Sequence, residues 1–444
     1  MSIRLSEYIK QTDLYIFIGL LAYMPLHIFL STWLGSTFGA IEAAKVAKDG
    51  VLVVGFLLTL AVSLRQPWFK PLLRDKLLWL IVAYAALTLL LAAIKPTDRD
   101  AEVLGVVYNT RFLLFFLYGI LLTHLYPVPR LKTLALKAVI GSGILVVSFG
   151  IVQYVFLPND ALIHVGYTRD NGVLPAFFID EKPDLERIMS TVRDPNSFGS
   201  YLIVLTSIVM TIMLATRRLI TRRAMLITYV LAVICIWLTF SRSALVGFLL
   251  AIATFVLLHG GAVRSVAHNY RKVLIASSVA TLFVIAGGLF ATRNTYLVQN
   301  VILHADQNTV LEDPNQLRIR FMKESVENIA DHPGGTGPGT AGLASIHNNV
   351  QGTVLNEDYY LQIATEVGIA GVTLFMAILS VVAWRLYRLR KSKLVLALLA
   401  SFVGLAFTNL LVHIWSNEAV AYTWWGLAGL VLAKQALPKA TKRT

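Results

Sequence analysis

Acids, arginines and histidines stand where long apolar runs of this chain begin and end. Glu357 and Asp358 precede Tyr359-Tyr360-Leu361-Gln362 at the head of one such run, and Glu366 follows inside it. A carboxylate at a membrane interface has its pKa raised by desolvation and can act as a general base. The same pair also suits a helix N-terminus, where the helix dipole favours acids. His347, in SIHNNVQG, is a second candidate base, and His413, Asn417 and Glu418 stand on a short loop that could join the same surface. Four arginines suggest a phosphate site: Arg111 in YNTRFLLFF, Arg193 in STVRDPNSFGSYL, Arg242 in FSRSALVGF and Arg318 in QLRIRFMKESVENIA. A guanidinium fork matches phosphate oxygens, so several at one level would make a diphosphate pocket. The plainer account of Arg193 and Arg242 is a snorkelling interfacial arginine. Arg111 resists it because it lies deeper in its run.

Other motifs carry weaker signals. Asp194-Pro195-Asn196 reads as a helix start, with a capping acid and proline in the first turn. His332-Pro333-Gly334-Gly335-Thr336-Gly337-Pro338-Gly339 could present backbone N–H groups to an anion, or simply close a tight loop. It is not a P-loop, since no Gly-Lys-Ser/Thr follows. No residues have zinc-ligand spacing, and no acidic cluster suits magnesium.

The elements that must position these groups are membrane spans. The chain has 444 residues, 57% hydrophobic and only 14% charged, with a mean hydropathy of +0.68. Soluble domains carry about 25% charged residues, so a polytopic, all-α membrane protein is expected. The lone Cys235 excludes an intrachain disulfide framework. A span needs about 20 apolar residues, and about twelve runs qualify. They centre on 14–34, 47–64, 77–95, 103–123, 135–157, 199–215, 224–240, 243–259, 273–291, 363–384, 394–413 and 419–436. The polar N-terminal residues are followed by a long apolar run without a small-residue cleavage site, which reads as a retained span. The net charge of +14 would suggest nucleic acid in a soluble protein. Here the lysines and arginines fall on alternate loops, which places both termini on the cytoplasmic side and removes nucleic acid as a partner.

Two outer loops are long, 158–198 and the polar stretch 293–360. Loops beyond about 12–15 residues are usually functional or disordered. Their apolar and aromatic content predicts folded caps, and the spacing in Gln316–Ala330 predicts an amphipathic helix at the interface. The expected organisation is spans one to nine over 1–291, a periplasmic loop domain over 292–360, and spans ten to twelve over 361–444.

On these residues the chain resembles the O-antigen ligase and polymerase superfamily. The matching segments are RFLLFF at Arg111, VRDPNSFGSYL from Arg193, TFSRSALVG around Arg242, NIADHPGGTGPG, and NEDYYLQIATEVGIAG from Asn356. The resemblance implies a bacterial inner-membrane glycosyltransferase working at the periplasmic face. Its donor would be a polyprenyl-diphosphate-linked glycan. Its acceptor would be a sugar hydroxyl on another lipid-linked glycan or on lipid A–core, among membrane lipids. It implies no cofactor and no metal, with inversion at the anomeric centre. Arg242 would hold donor phosphate, assisted by Arg111, Arg193 or Arg318. The ligase branch shows His-Asn, nine residues, then Gly-x-x-Gly. Counting back from Gly368 and Gly371, those positions hold Glu357 and Asp358. The base is then Glu357 or His347, and the departure favours a polysaccharide polymerase over a ligase. A transporter or lipid flippase is the alternative of another class; it predicts broken helices and mid-membrane charges.

Overall fold

A computed structural model describes residues 3–95, 97–179, 182–216, 218–259, 314–349 and 356–436. The expected span at 273–291 and the first part of the 292–360 domain lie outside the described residues. The chain is an all-α, polytopic membrane protein. Nine stretches of helix are long and apolar enough to cross a membrane among the described residues, and Lys393–Thr408 is a shorter apolar helix.

Besides the single turn Phe69–Leu72, the described helices in chain order are α1 (Ile3–Tyr23), α2 (His27–Phe38), α3 (Ile41–Ser63), α4 (Lys76–Ile94), α5 (Arg99–Leu125), α6 (Val128–Phe156), α7 (Pro195–Ala215), α8 (Leu219–Leu238), α9 (Arg242–His259), α10 (Pro314–Asp331), α11 (Tyr359–Arg388), α12 (Lys393–Thr408) and α13 (Glu418–Ala436). Apolar runs become helices because no water is at hand to satisfy backbone groups in hydrocarbon. The first expected span, 14–34, is divided by the 3-10 turn Met24–Leu26, where Pro25 removes an N–H donor.

The described parts of the two long polar segments fold as caps on helix ends, packing against α2, α5 and α11. Residues 158–198 contain a 3-10 turn at Ala161–Val165 and a two-stranded antiparallel hairpin, β1 (Phe177–Ile179) and β2 (Lys182–Arg187). That hairpin is a small departure from a purely helical expectation. The amphipathic segment is helix α10, with Ile319, Met322 and Val326 exposed along one side.

Small residues let helices cross closely where no hydrophobic force drives them together. Helices α5 and α13 show it: a Cβ on Gly429 would lie 2.3 Å from the Phe116 carbonyl oxygen. The crossing is filled by aromatics. Phe112 and Phe116 meet Trp425 at 5.3 and 5.5 Å between ring centroids, and Phe115 meets Tyr422 at 5.0 Å.

Helix α11 is broken at Gly368, whose φ of 76° and ψ of −178° only glycine adopts without strain. The glycine-rich loop docks into the break. Thr336 N–H donates to the Thr365 carbonyl (2.8 Å), Gly337 N–H to the Glu366 carbonyl (3.0 Å), and Ile369 N–H to the Pro333 carbonyl (3.0 Å).

Candidate active site

A cavity of about 450 Å³ lies where the caps meet the helix ends. That is within the range of small-ligand pockets, roughly 300–1,000 Å³. Its wall combines segments far apart in sequence: Tyr108 of α5, Gly172–Leu174 and Phe177, Arg193, Asp194, Asn196 and Ser197 at the head of α7, Arg318 and Phe321 of α10, Asn356 and Glu357, and Leu411–His413 with Ser416–Glu418.

Two of the four expected arginines reach this wall. Arg193 donates to the Gly172 carbonyl (3.1 Å), across the loop. Its neighbour Asp194 caps α7, accepting from Ser197 N–H (2.9 Å) and Ser197 Oγ (2.6 Å) with Pro195 in the first turn, so the expected helix start is there. Arg318 forms an ion pair with Glu357. The expected base Glu357 therefore stands on the cavity wall with its carboxylate held by a guanidinium. Asp358 beside it is the cap of α11, accepting from Tyr360 N–H (2.7 Å) and Leu361 N–H (3.0 Å). Burial raises the Asp358 pKa against the pull of those two bonds.

Arg111 is beneath the cavity, not on its wall. It is buried, with its guanidinium 2.9 Å from Glu418 and 3.8 Å from Asp49, and it donates to the Ser416 carbonyl (2.6 Å). Lys48 joins from α3, 3.0 Å from Asp49 and 3.6 Å from Glu418. Two cations thus balance two carboxylates inside the bundle, as a low-dielectric site requires. Glu418 and Tyr108 link this cluster to the cavity, since both line it.

Arg242 is exposed at the head of α9 and does not line the cavity. It lies beside Arg187, an arginine that the reading of motifs passed over. Arg187 donates to the Thr239 carbonyl (2.9 Å) and to Asn196 Oδ1 (3.0 Å), and Asn196 lines the cavity. Burial and then the nearby Arg242 charge depress the Arg187 pKa, while Asp194 opposes them. Arg187 stands six residues before Arg193 in the same outer loop, so the argument used for Arg193 would have found it.

His347 is exposed at the end of a 3-10 turn and does not line the cavity, although its neighbour Ile346 does. His413 does line it, together with Asn417. Burial pushes the His413 imidazole down to about 4, and the Asn356 carbonyl facing the ring only partly offsets this. His413 Nε2 is shut off from water and has no hydrogen-bond partner.

The glycine loop has found its anion within the protein. Glu366, fully buried, accepts from Gly339 N–H (2.9 Å), more weakly from Ala341 N–H (3.4 Å), and from Asn109 Nδ2 (2.7 Å). Its carboxylate ties the loop to α5 across the broken helix.

No curated protein matches the chain. The family model described as O-antigen ligase matches residues 227–376, a span that runs from α8 through the glycine loop and into α11 past its break. Over that third of the chain the protein is similar to the O-antigen ligase family, and its apolar helices, long enough to cross a membrane, agree with the likeness.

Proposed function

We propose that the protein transfers a glycan from a polyprenyl-diphosphate carrier to a sugar hydroxyl at the periplasmic face of the inner membrane, most simply as a polysaccharide polymerase. The observation that carries this reading is the shared cavity. Arg193, Arg318 and Glu357 come from three segments distant in sequence and line one wall. Guanidinium groups at a cavity mouth suit a diphosphate, and their charge-assisted hydrogen bonds strengthen as negative charge develops on the leaving group. Arg242 with Arg187 adds positive potential nearby, whereas the Arg111 charge is balanced by Glu418 and Asp49.

Arg318 has two suitors in this scheme, the donor phosphate and Glu357. A phosphate that draws Arg318 away frees the Glu357 carboxylate to meet the acceptor. A single displacement at the anomeric carbon is enough with a diphosphate leaving group, so inversion without a metal is the expected course. Ligation to lipid A–core is a second reading, favoured by the family description itself.

One reconstitution tests both. Purified full-length protein in nanodiscs is given polyprenyl-diphosphate-linked glycan repeats alone, and then with lipid A–core. A ladder of longer lipid-linked chains from the donor alone supports polymerisation. Product only when lipid A–core is present supports ligation. Consumption of donor in neither case would sink the glycosyl-transfer reading. Arg193→Ala and Arg318→Ala should each raise the donor KM roughly tenfold or more, the value of one charge-assisted contact.

A further inference from the structure

We propose that the end of α5 remote from the 450 Å³ cavity carries a binding site for one anionic glycerophospholipid. An acyl chain lies in an apolar groove there, and the phosphate sits among the basic side chains that join α3 to α4. The proposal does not depend on the glycosyl-transfer reading.

The groove is a second cavity, of about 170 Å³, between α3, α4 and α5. Leu60, Phe69, Leu78, Val82, Phe116 and Ile120 line it. Leu73, Trp79 and Val82 of the same wall are exposed, so the groove opens to the outside of the bundle, where lipid is. Water in such a space would find too few polar partners to stay, whereas an acyl chain needs none.

Its depth suits that occupant. Leu60 stands one turn before the end of α3 at Ser63, Leu78 and Val82 within two turns of the head of α4 at Lys76, and Ile120 within two turns of the end of α5 at Leu125. At about 1.5 Å of rise per residue these positions lie within roughly 10 Å of the helix ends, just beneath the level of lipid headgroups. Trp79 fixes the mouth: its Nε1 donates to the Leu73 carbonyl (2.7 Å), tying the connection to the first turn of α4. An exposed tryptophan at a span end is itself a mark of the headgroup boundary.

Charge selects the headgroup. The connection from Leu64 to Lys76 carries Arg65, Lys70, Arg74 and Lys76 against a single acid, Asp75, and all four cations are exposed. Lys70, Arg74 and Lys76 each adjoin in sequence a residue that lines the groove, Phe69, Leu73 and Leu77 respectively. Asp75 is already committed. Arg385 Nη1 donates to its Oδ2 (2.7 Å), and its Oδ1 accepts from Leu77 N–H (2.9 Å) as the cap of α4. No carboxylate pairs with Lys70, Arg74 or Lys76 among the described residues. Basic side chains beside a span attract anionic lipid, each by several-fold in affinity.

The test uses full-length protein in nanodiscs that hold phosphatidylglycerol and phosphatidylcholine in equal amounts with the same acyl chains. The protein is released into mild detergent, and the lipid still bound is counted by native mass spectrometry. One phosphatidylglycerol per chain should be retained, about tenfold or more over phosphatidylcholine. Lys70→Gln, Arg74→Gln and Lys76→Gln together should abolish that preference. Val82→Trp, which fills the groove from its exposed wall, should abolish retention itself. All four substitutions fall at exposed positions. Equal retention of the two lipids would overturn the proposal, because an unselective lipid shell would then explain the groove. So would an unchanged preference in the triple variant, or wild-type retention by Val82→Trp. Polyprenyl phosphate, added in equal amount and bound in place of phosphatidylglycerol, would also overturn it and give the groove to the carrier lipid.

Discussion

Arg111 has exchanged the role suggested by its position for one suggested by its partners. An arginine deep in a span was expected to reach for a phosphate. In the bundle it is committed to Glu418, Asp49 and the Ser416 carbonyl. Removing one member of a buried pair leaves the other charge uncompensated, at about 3–5 kcal/mol. Arg111→Ala should therefore lower the thermal midpoint sharply in detergent. Arg111→Met combined with Glu418→Gln should recover a large part of the loss. Equal midpoints for Arg111→Ala and wild type would mean the pair contributes nothing. Types and spacing raised Arg111, Arg193 and Arg318 as phosphate candidates, with Arg111 the hardest to read as a snorkelling residue. Whether each met solvent, cavity or carboxylate depended on helix rotation, which hydropathy does not encode when a span is apolar all round.

Helix α11 and the glycine loop form one device. The helix opens at Gly368, and the loop donates its N–H groups to the carbonyls that the opening exposes. Gly368→Ala must hold a side chain at φ 76°, worth about 1–3 kcal/mol of strain. Its Cβ would also lie 2.6 Å from the Gly334 carbonyl carbon. The expected outcome is loss of activity, with earlier proteolytic cleavage around residues 332–341. Gly334→Ala is the control: it meets nothing within 4 Å and should behave as wild type. Removing the carboxylate is a second probe. Glu366→Ala leaves the Gly339 N–H and Asn109 amide without their acceptor, so it should cost more stability than Glu366→Gln, which keeps an acceptor oxygen; both are read by thermal unfolding. HPGGTGPG was legible as a loop, since glycine and proline forbid a helix there. Its docking partner was not, because the break in α11 lies within an apolar run, VGIAGVTLF.

Across the whole molecule, the cavity depends on how α5 and α13 cross. Their contact sets the height of Tyr108, Arg111 and Glu418 relative to one another. Gly429→Leu would drive a side chain into the Phe116 backbone, and overpacking of this kind costs about 1–3 kcal/mol or more. The variant should lose donor binding along with stability, whereas Leu410→Ala, at a residue exposed beyond α12, should change neither. Size-exclusion behaviour and affinity for a fluorescent polyprenyl diphosphate, measured together, would check this, and a stable Gly429→Leu protein with normal affinity would contradict it.

Composition and hydropathy determined the class of molecule. A charged fraction of 14% and long apolar runs leave few folds other than a helical bundle in a bilayer, because each backbone group in hydrocarbon must be satisfied within its own helix. Capping chemistry likewise marked the heads of α7 and α11, since Asp194 and Asp358 act on their immediate neighbours. Only the tertiary structure decided the site. His413 reached the wall beside Glu357, Arg187 reached Asn196, and Glu366 turned to the glycine loop. These meetings join segments far apart along the chain, and they follow from which faces of the helices pack together, a choice made by side-chain shape at every crossing at once.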